Sequence, residues 1–286
     1  MTIRRIAAAV DSSSTALRAA ERAMSLAELW GAELTLVHVY DAGPADAASL
    51  MSAETIIEAN RKAGRETVAT LAAALGKPEL PTIVQLSRDI PCTVCEVAQE
   101  AGADLVVVGT IGRTGVSRFF LGSVAENVAR RAHCPVWVER PTEPTVRAVE
   151  RIMVCTDLSP LSEAGVALAA EVSATLGGSV ELVYALEAPY RGLSAEARID
   201  LTDQLRSKLT ALAIQHFGHD DAPRVTIVEG ANVVDGVTAH AARTSADLVV
   251  IATHGRTGLA RAFMGSVAER VTRFAPCSVL VARSPV

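Results

Sequence analysis

Glycine, serine and arginine fall into one spaced pattern twice in this chain. Gly109 and Gly112 are followed by nine residues and then by Gly122-Ser123. In the second occurrence Ala252 and Gly255 are followed by nine residues and then by Gly265-Ser266. Glycines let the backbone approach an anion closely and adopt positive φ. Gly122-Ser123 opens a helix-period stretch, whose free N–H groups and dipole favour negative charge. Ser123 adds a hydroxyl, and Arg113 and Arg118, with Arg256 and Arg261 in the second occurrence, add cations. The pattern reads as a phosphate cradle without a lysine; it is neither GxxxxGK[ST] nor GxGxxG. Ser123-Val-Ala-Glu126 and Ser266-Val-Ala-Glu269 each also fit the capping box S-x-x-E, a device that simply starts a helix. Capping accounts for the serine and the glutamate but not for spaced glycines with arginines between them.

Other residues with chemical potential are fewer. Val10-Asp11-Ser12 and Thr156-Asp157-Leu158 each end a short apolar run. Cys92-Thr-Val-Cys95 has the spacing of a redox pair at a helix start. It also places two small apolar side chains one turn apart, and the equivalent positions downstream are Asp235 and Thr238. His254 falls inside the second glycine loop, and His38 falls within a strand pattern opposite Tyr184. No cysteine–histidine spacing resembles a zinc site. No nucleophile–base pair or carboxylate pair has a spacing that demands chemistry, so the pattern is that of a binding protein and not an enzyme, with weak ATP hydrolysis left open.

The elements that position these residues come from a duplication. Residues 103–138 and 246–281 align without gaps, and 23 of their 36 positions are identical. Their offset of 143 is half of the 286 residues, so the whole chain is one domain written twice. Upstream, IAAAVDSSS (6–14) matches IMVCTDLSP (152–160) at an offset of 146. Domains over residues 1–141 and 149–286 follow, joined near Pro141 and Pro144. Each copy alternates strand and helix patterns: Ile3–Val10, Ser14–Trp30, Glu33–Tyr40, then after a loop Ala53–Leu75, Thr82–Leu86, Pro91–Ala101, Asp104–Gly109, Ser123–Ala132 and Val136–Val138. That alternation predicts an α/β fold with a parallel sheet. The runs LVVV (105–108) and LVVI (248–251) suit strands covered on both faces. In such sheets ligands bind beyond the carboxyl ends of the strands, where strand order reverses. Both Asp11 and the glycine pattern fall at strand ends of this kind.

Composition agrees. Half of the residues are hydrophobic and only 3% are aromatic, so small aliphatic side chains must fill the core. Net charge is −5, split as −3 and −2 between the halves, which speaks against nucleic acid or an anionic membrane as partner. No apolar run approaches the ~20 residues of a membrane helix, and the start is too short for a signal core. Five cysteines, an odd number, do not suggest a disulfide framework. The expected location is cytoplasmic.

The two glycine patterns, the start Ala9-Val-Asp-x-Ser13, the Arg-Thr-Gly steps at 113–115 and 256–258 and the Gly-Ser-Val-Ala-Glu helix starts resemble the universal stress protein family, as a tandem pair spanning nearly the whole chain. The resemblance implies two Rossmann-like domains of the adenine nucleotide alpha hydrolase type. Each would be a five-stranded parallel sheet in order 3-2-1-4-5 flanked by helices, with ATP across the junction of strands 1 and 4. It implies that Val10 and Asp11 face the ribose and base and that Val39 bonds adenine through its backbone. Gly109, Gly112, Arg113, Gly122, Ser123 and Val124 would surround ribose and phosphates. The matching positions downstream are Thr156, Asp157, Ala185, Gly255, Arg256, Gly265, Ser266 and Val267. Asp11 and Asp157 can meet Mg2+ indirectly. Ala252 departs from the pattern by a methyl that would crowd the ligand, so the first copy is expected to bind ATP more strongly. The family's role implies an ATP-binding stress-response regulator that changes conformation with nucleotide and is read by a protein partner. The last strands are expected to join the copies to each other, with homodimers as a further option. A nucleotide-independent interaction or dimerisation module of the same fold is the alternative.

Overall fold

LVVV and LVVI form central strands because β-branched and leucine side chains fill both faces of a pleated ribbon, and in the computed structural model every residue of both runs is buried. The structure describes residues 3–41, 53–110, 121–140, 148–186, 192–253 and 264–283. Contacts divide the chain into two units, Thr2–Val146 and Arg147–Val286.

In the first unit the elements are β1 (Arg5–Ala9), α1 (Ser14–Trp30), β2 (Glu33–Tyr40), α2 (Ala53–Ala74), β3 (Thr82–Leu86), α3 (Ile90–Glu100), β4 (Leu105–Gly109), α4 (Ser123–Arg131) and β5 (Val136–Glu139). The second unit repeats them as β6 (Arg151–Cys155), α5 (Pro160–Leu176), β7 (Ser179–Leu186), α6 (Ala195–Phe217), β8 (Arg224–Glu229), α7 (Val233–Arg243), β9 (Leu248–Ala252), α8 (Ser266–Phe274) and β10 (Ser278–Ala282). Strand order is β3-β2-β1-β4-β5 in the first and β8-β7-β6-β9-β10 in the second. The pairs within each unit are parallel, as the strand–helix alternation requires. Order 3-2-1-4-5 puts the ends of strands 1 and 4 side by side, where the connections leave in opposite directions.

Small side chains bring helix and sheet together. Ala19, Ala20, Ala23, Leu26 and Ala27 of α1 are buried, an i, i+3, i+4 stripe that turns a narrow face to the strands. Gly31 (φ 62°) and Gly177 (φ 73°) end α1 and α5 in the left-handed region, where a side chain would be strained. The Ala-Asp pair that opens both repeated blocks has a structural use. Asp104 Oδ2 accepts from the N–H groups of Arg4 and Arg5 at 2.8 and 3.0 Å, and Asp247 Oδ2 from Glu150 and Arg151 at 3.1 and 2.9 Å. Each aspartate therefore staples the first strand to the fourth. Among the described residues no helix is long and apolar enough to cross a membrane.

The first unit carries a buried polar triad. Arg22 Nε lies 3.1 Å from Glu139 Oε2, Trp137 Nε1 donates to the same oxygen at 2.7 Å, and the guanidinium stands 5.3 Å from the indole centroid. All three residues are buried. The equivalent residues in the second unit, Leu168, Leu280 and Ala282, are apolar and equally buried.

Candidate functional site

A cleft of about 230 Å³ lies at the ends of β1 and β4 in the first unit. Its walls include Val10, Asp11, Val39, Gly109, Gly122, Ser123 and Val124. The second unit has an equivalent cleft of about 210 Å³, bordered by Thr156, Asp157, Ala185, Gly265, Ser266 and Val267. The chain thus brings together residues that are far apart in sequence, twice. Gly112, Arg113, Arg118, Gly255, His254, Arg256 and Arg261 lie outside the described residues.

One end of each cleft is an open helix mouth. Contrary to the capping-box expectation, Gly122 and Gly265, not the serines, are the N-caps of α4 and α8, and among the described residues neither mouth has a side-chain cap. Ser123 and Ser266 are first helical residues. Glu126 reaches forward to Arg130 at 3.1 Å instead of back. The motif fits one residue out of place, because the glycine that precedes it supplies the extended φ and ψ of a cap. The other helix starts described are closed by their own side chains: Ser13 for α1, Asp89 for α3, Ser159 for α5, Ser194 for α6 and Asn232 for α7. The first-turn N–H groups of α4 and α8 are the ones left for an anion. Gly122 and Gly265 are held down by N–H donation to the Thr110 and Thr253 carbonyls, at 2.6 and 2.7 Å. Thr110 Oγ1, next to this mouth, is buried with no hydrogen-bond partner among the described residues.

The other end offers backbone. Val37 accepts from the Val10 N–H at 2.9 Å, and the β1–β2 register ends at Ala9↔Val37. Backbone edges alternate along a strand, so Val39 turns its N–H and C=O to the same side, beyond the end of β1. Leu36 and Tyr40 face the opposite side, towards Pro81 and Ser87. In the second unit Val183 accepts from Thr156 at 3.0 Å, the register ends at Cys155↔Val183, and Ala185 is left in the same position. An adjacent backbone donor and acceptor match the edge of an adenine base.

The aspartates shape the turn between these ends. Asp11 Oδ1 accepts from the Ser13 N–H at 2.9 Å and from the Ser13 hydroxyl at 2.5 Å, and Asp157 Oδ1 accepts from the Ser159 N–H at 3.0 Å. His38, in place of catalysis, donates Nδ1–H to the Val10 carbonyl at 2.8 Å and is buried.

Two expectations about glycine change. Gly122 (φ −64°) and Gly265 (φ −60°) are extended, and Gly109 is not among the positive-φ residues, so φ does not explain them. A Cβ on Gly109 would meet the Thr15 carbonyl oxygen at 3.1 Å, which points towards α1. In the second unit the equivalent methyl exists, and α5 makes room for it: a Cβ on Gly165 would stand 3.6 Å from that of Ala252. The counterpart of Gly165 in α1 is Ala19. Ala252 is therefore accommodated between strand and helix, and its methyl no longer argues for a weaker second site.

Some lining residues were not expected from sequence. Ile90 and Val94, on the first turns of α3, line the first cleft, and Val233 and Val237 of α7 line the second. Their i, i+4 spacing at a helix start was the available signal. Cys155 also borders the second cleft. Burial pushes its thiol up to about 12, with a smaller contribution from Cys277. Cys92 is raised above the ordinary thiol range, first by its hydrogen bond to Glu96 at 3.4 Å and then by burial and the nearby carboxylates. A redox pair needs the opposite shift. Ellman titration of the folded protein at pH 8 is thus expected to show slow reaction at Cys92 alone, and five thiols once unfolded. Fast labelling of Cys155, or a Cys92–Cys95 disulfide under mild oxidant, would contradict this.

The sequence model described as the universal stress protein family matches twice, over residues 2–140 and 148–283. Universal stress protein Rv2005c of Mycobacterium tuberculosis (strain H37Rv) is 29% identical over 286 residues, covering 90% of this chain and 92% of its own. A solved universal stress protein from Archaeoglobus fulgidus has a TM-score of 0.68 at 15% identity, covering 98% of this chain and 96% of its own. A putative universal stress protein from Pseudomonas aeruginosa has a TM-score of 0.69 at 18% identity, covering 98% and 93%. At these identities the structural likeness is one of fold.

Proposed function

Because the chain belongs to the universal stress protein family, with two tandem matches to it, we propose that each copy binds an adenine nucleotide, ATP, and that the chain is a cytoplasmic stress-response regulator and not an enzyme. The observation that carries this is the contrast among helix starts: α4 and α8 lack side-chain caps, whereas five others have them. An anionic ligand supplies what the missing cap leaves undone. The backbone edges of Val39 and Ala185 receive the base, and the N–H groups from Ser123 and Ser266 onward receive phosphate oxygens.

Bound nucleotide would tie the β1–α1 turn to the start of α4, and a partner protein would read the tied state. Among the described residues no three His, Cys, Asp or Glu side chains stand together as metal ligands. Mg2+ would accordingly rest mainly on the phosphates, with Asp11 or Asp157 reached through water. Asp11 is the sole carboxylate among the described residues lining the first cleft, and it is already engaged by Ser13. That favours holding the nucleotide over hydrolysing it.

Protein purified without added nucleotide is expected to release adenine nucleotide on denaturation. After removal of that nucleotide, calorimetric titration with ATP should return two sites per chain. Protein that emerges empty and gives no heat with about 1 mM ATP, the weak end of specific binding, overturns the proposal and leaves a nucleotide-independent module.

A further inference from the structure

The two clefts differ most where the base would lie. Val39 and Ile90 of the first are replaced by Ala185 and Val233 in the second, which removes three side-chain carbons from the wall between the second strand and third helix of the repeat. The helix is not positioned differently by its start. Ile90 and Val233 are each first helical residues, behind caps that bond at 3.2 Å (Asp89 to Cys92) and 3.1 Å (Asn232 to Asp235). Val39 is 6% exposed, whereas Ala185 is half-buried, as expected when the wall in front of a strand is cut back.

The opposite change occurs under the first and fourth strands. Ala9 and Val108 become Cys155 and Ile251, which adds two heavy atoms, while the methyl of Ala252 packs between strand and helix. The clefts therefore keep nearly equal volumes, about 230 and 210 Å³, but distribute the space differently. The second carries larger side chains at its first and fourth strands and smaller ones at its base wall. A packed wall rejects extra methylenes strongly, and a wall with a gap accepts them.

Resting on the reading of both clefts as nucleotide sites, we infer that the second cleft accepts purine nucleotides alkylated on the base and that the first excludes them, with Ala185 and Val233 as the specificity-determining residues. The two sites of one chain then report on different purine nucleotides.

The test is calorimetric titration of the full chain with ATP and with ATP carrying a propyl group on N6 or on C2. ATP is expected to fill two sites per chain, and at least one propyl analogue to fill one. Ala185→Val/Val233→Ile should lower the ratio of analogue to ATP affinity at least tenfold. Val39→Ala/Ile90→Val should add a second analogue site. An analogue that binds both clefts of the unsubstituted chain, analogues that bind neither cleft, or an affinity ratio that either double substitution leaves unmoved overturns the inference. Failure of ATP itself to bind either cleft would instead remove the nucleotide reading on which it stands.

Discussion

Gly122→Asp is expected to weaken ATP binding in the first cleft by roughly 10²–10⁴-fold while the domain stays folded. The backbone at Gly122 is extended, with φ −64° and ψ 148°, which aspartate adopts without strain. Aspartate is also among the preferred N-cap residues, so α4 gains the cap it lacks. The carboxylate then occupies the N–H groups that phosphate needs and repels what remains of the anion. Loss of two charge-assisted hydrogen bonds at about 1.5–3 kcal/mol each gives the stated range. Gly122→Asn has the same bulk without the charge and should cost less. The measurement is titration in a Gly265→Asp background, so that one cleft is read at a time, with thermal melting as the check on folding. Unchanged ATP affinity in Gly122→Asp would mean that the helix mouth does not hold the phosphates.

The second large effect concerns stability. Glu139→Ala takes the carboxylate from Arg22, whose side chain is 9% exposed, and leaves the Trp137 indole without its acceptor. A buried cation that loses its partner costs about 3–5 kcal/mol, a fall in melting temperature of roughly 10–17 °C in a domain of this size. Replacing the whole triad with apolar residues of similar volume, Arg22→Met/Trp137→Phe/Glu139→Leu, should recover at least half of that loss. The second unit supports this expectation, because Leu168, Leu280 and Ala282 close the same position without any charge. If the triple variant is less stable than Glu139→Ala in denaturant titration, the triad contributes net stability of its own.

Much of the architecture was legible because duplication and hydrophobic patterning pointed the same way. LVVV and LVVI read as covered strands, and Gly31 stood at a plausible helix stop. The strand-end positions of Asp11 and the glycine pattern followed from the parallel sheet. Three things were not legible, each for a physical reason. The motif Ser-Val-Ala-Glu has the composition of a capping box, and composition does not reveal which residue takes the extended cap conformation. Ile90 and Val94 form an apolar helical step that looks the same whether it faces a core or a cleft. The methyl of Ala252 looked obstructive because the residue that accommodates it, Gly165, lies on another element far upstream.

That exchange between strand and helix limits how the duplicated halves can recombine. At the matching positions one half has Ala19 and Gly109, and the other has Gly165 beside Ala252. A genetic crossover falling between the two members would set an alanine Cβ 3.3 Å from the Ala252 nitrogen, a tight fit, or unite two glycines and leave a gap. Each half is thus a co-inherited block, and drift between the copies is expected to keep such paired positions linked even where single positions diverge.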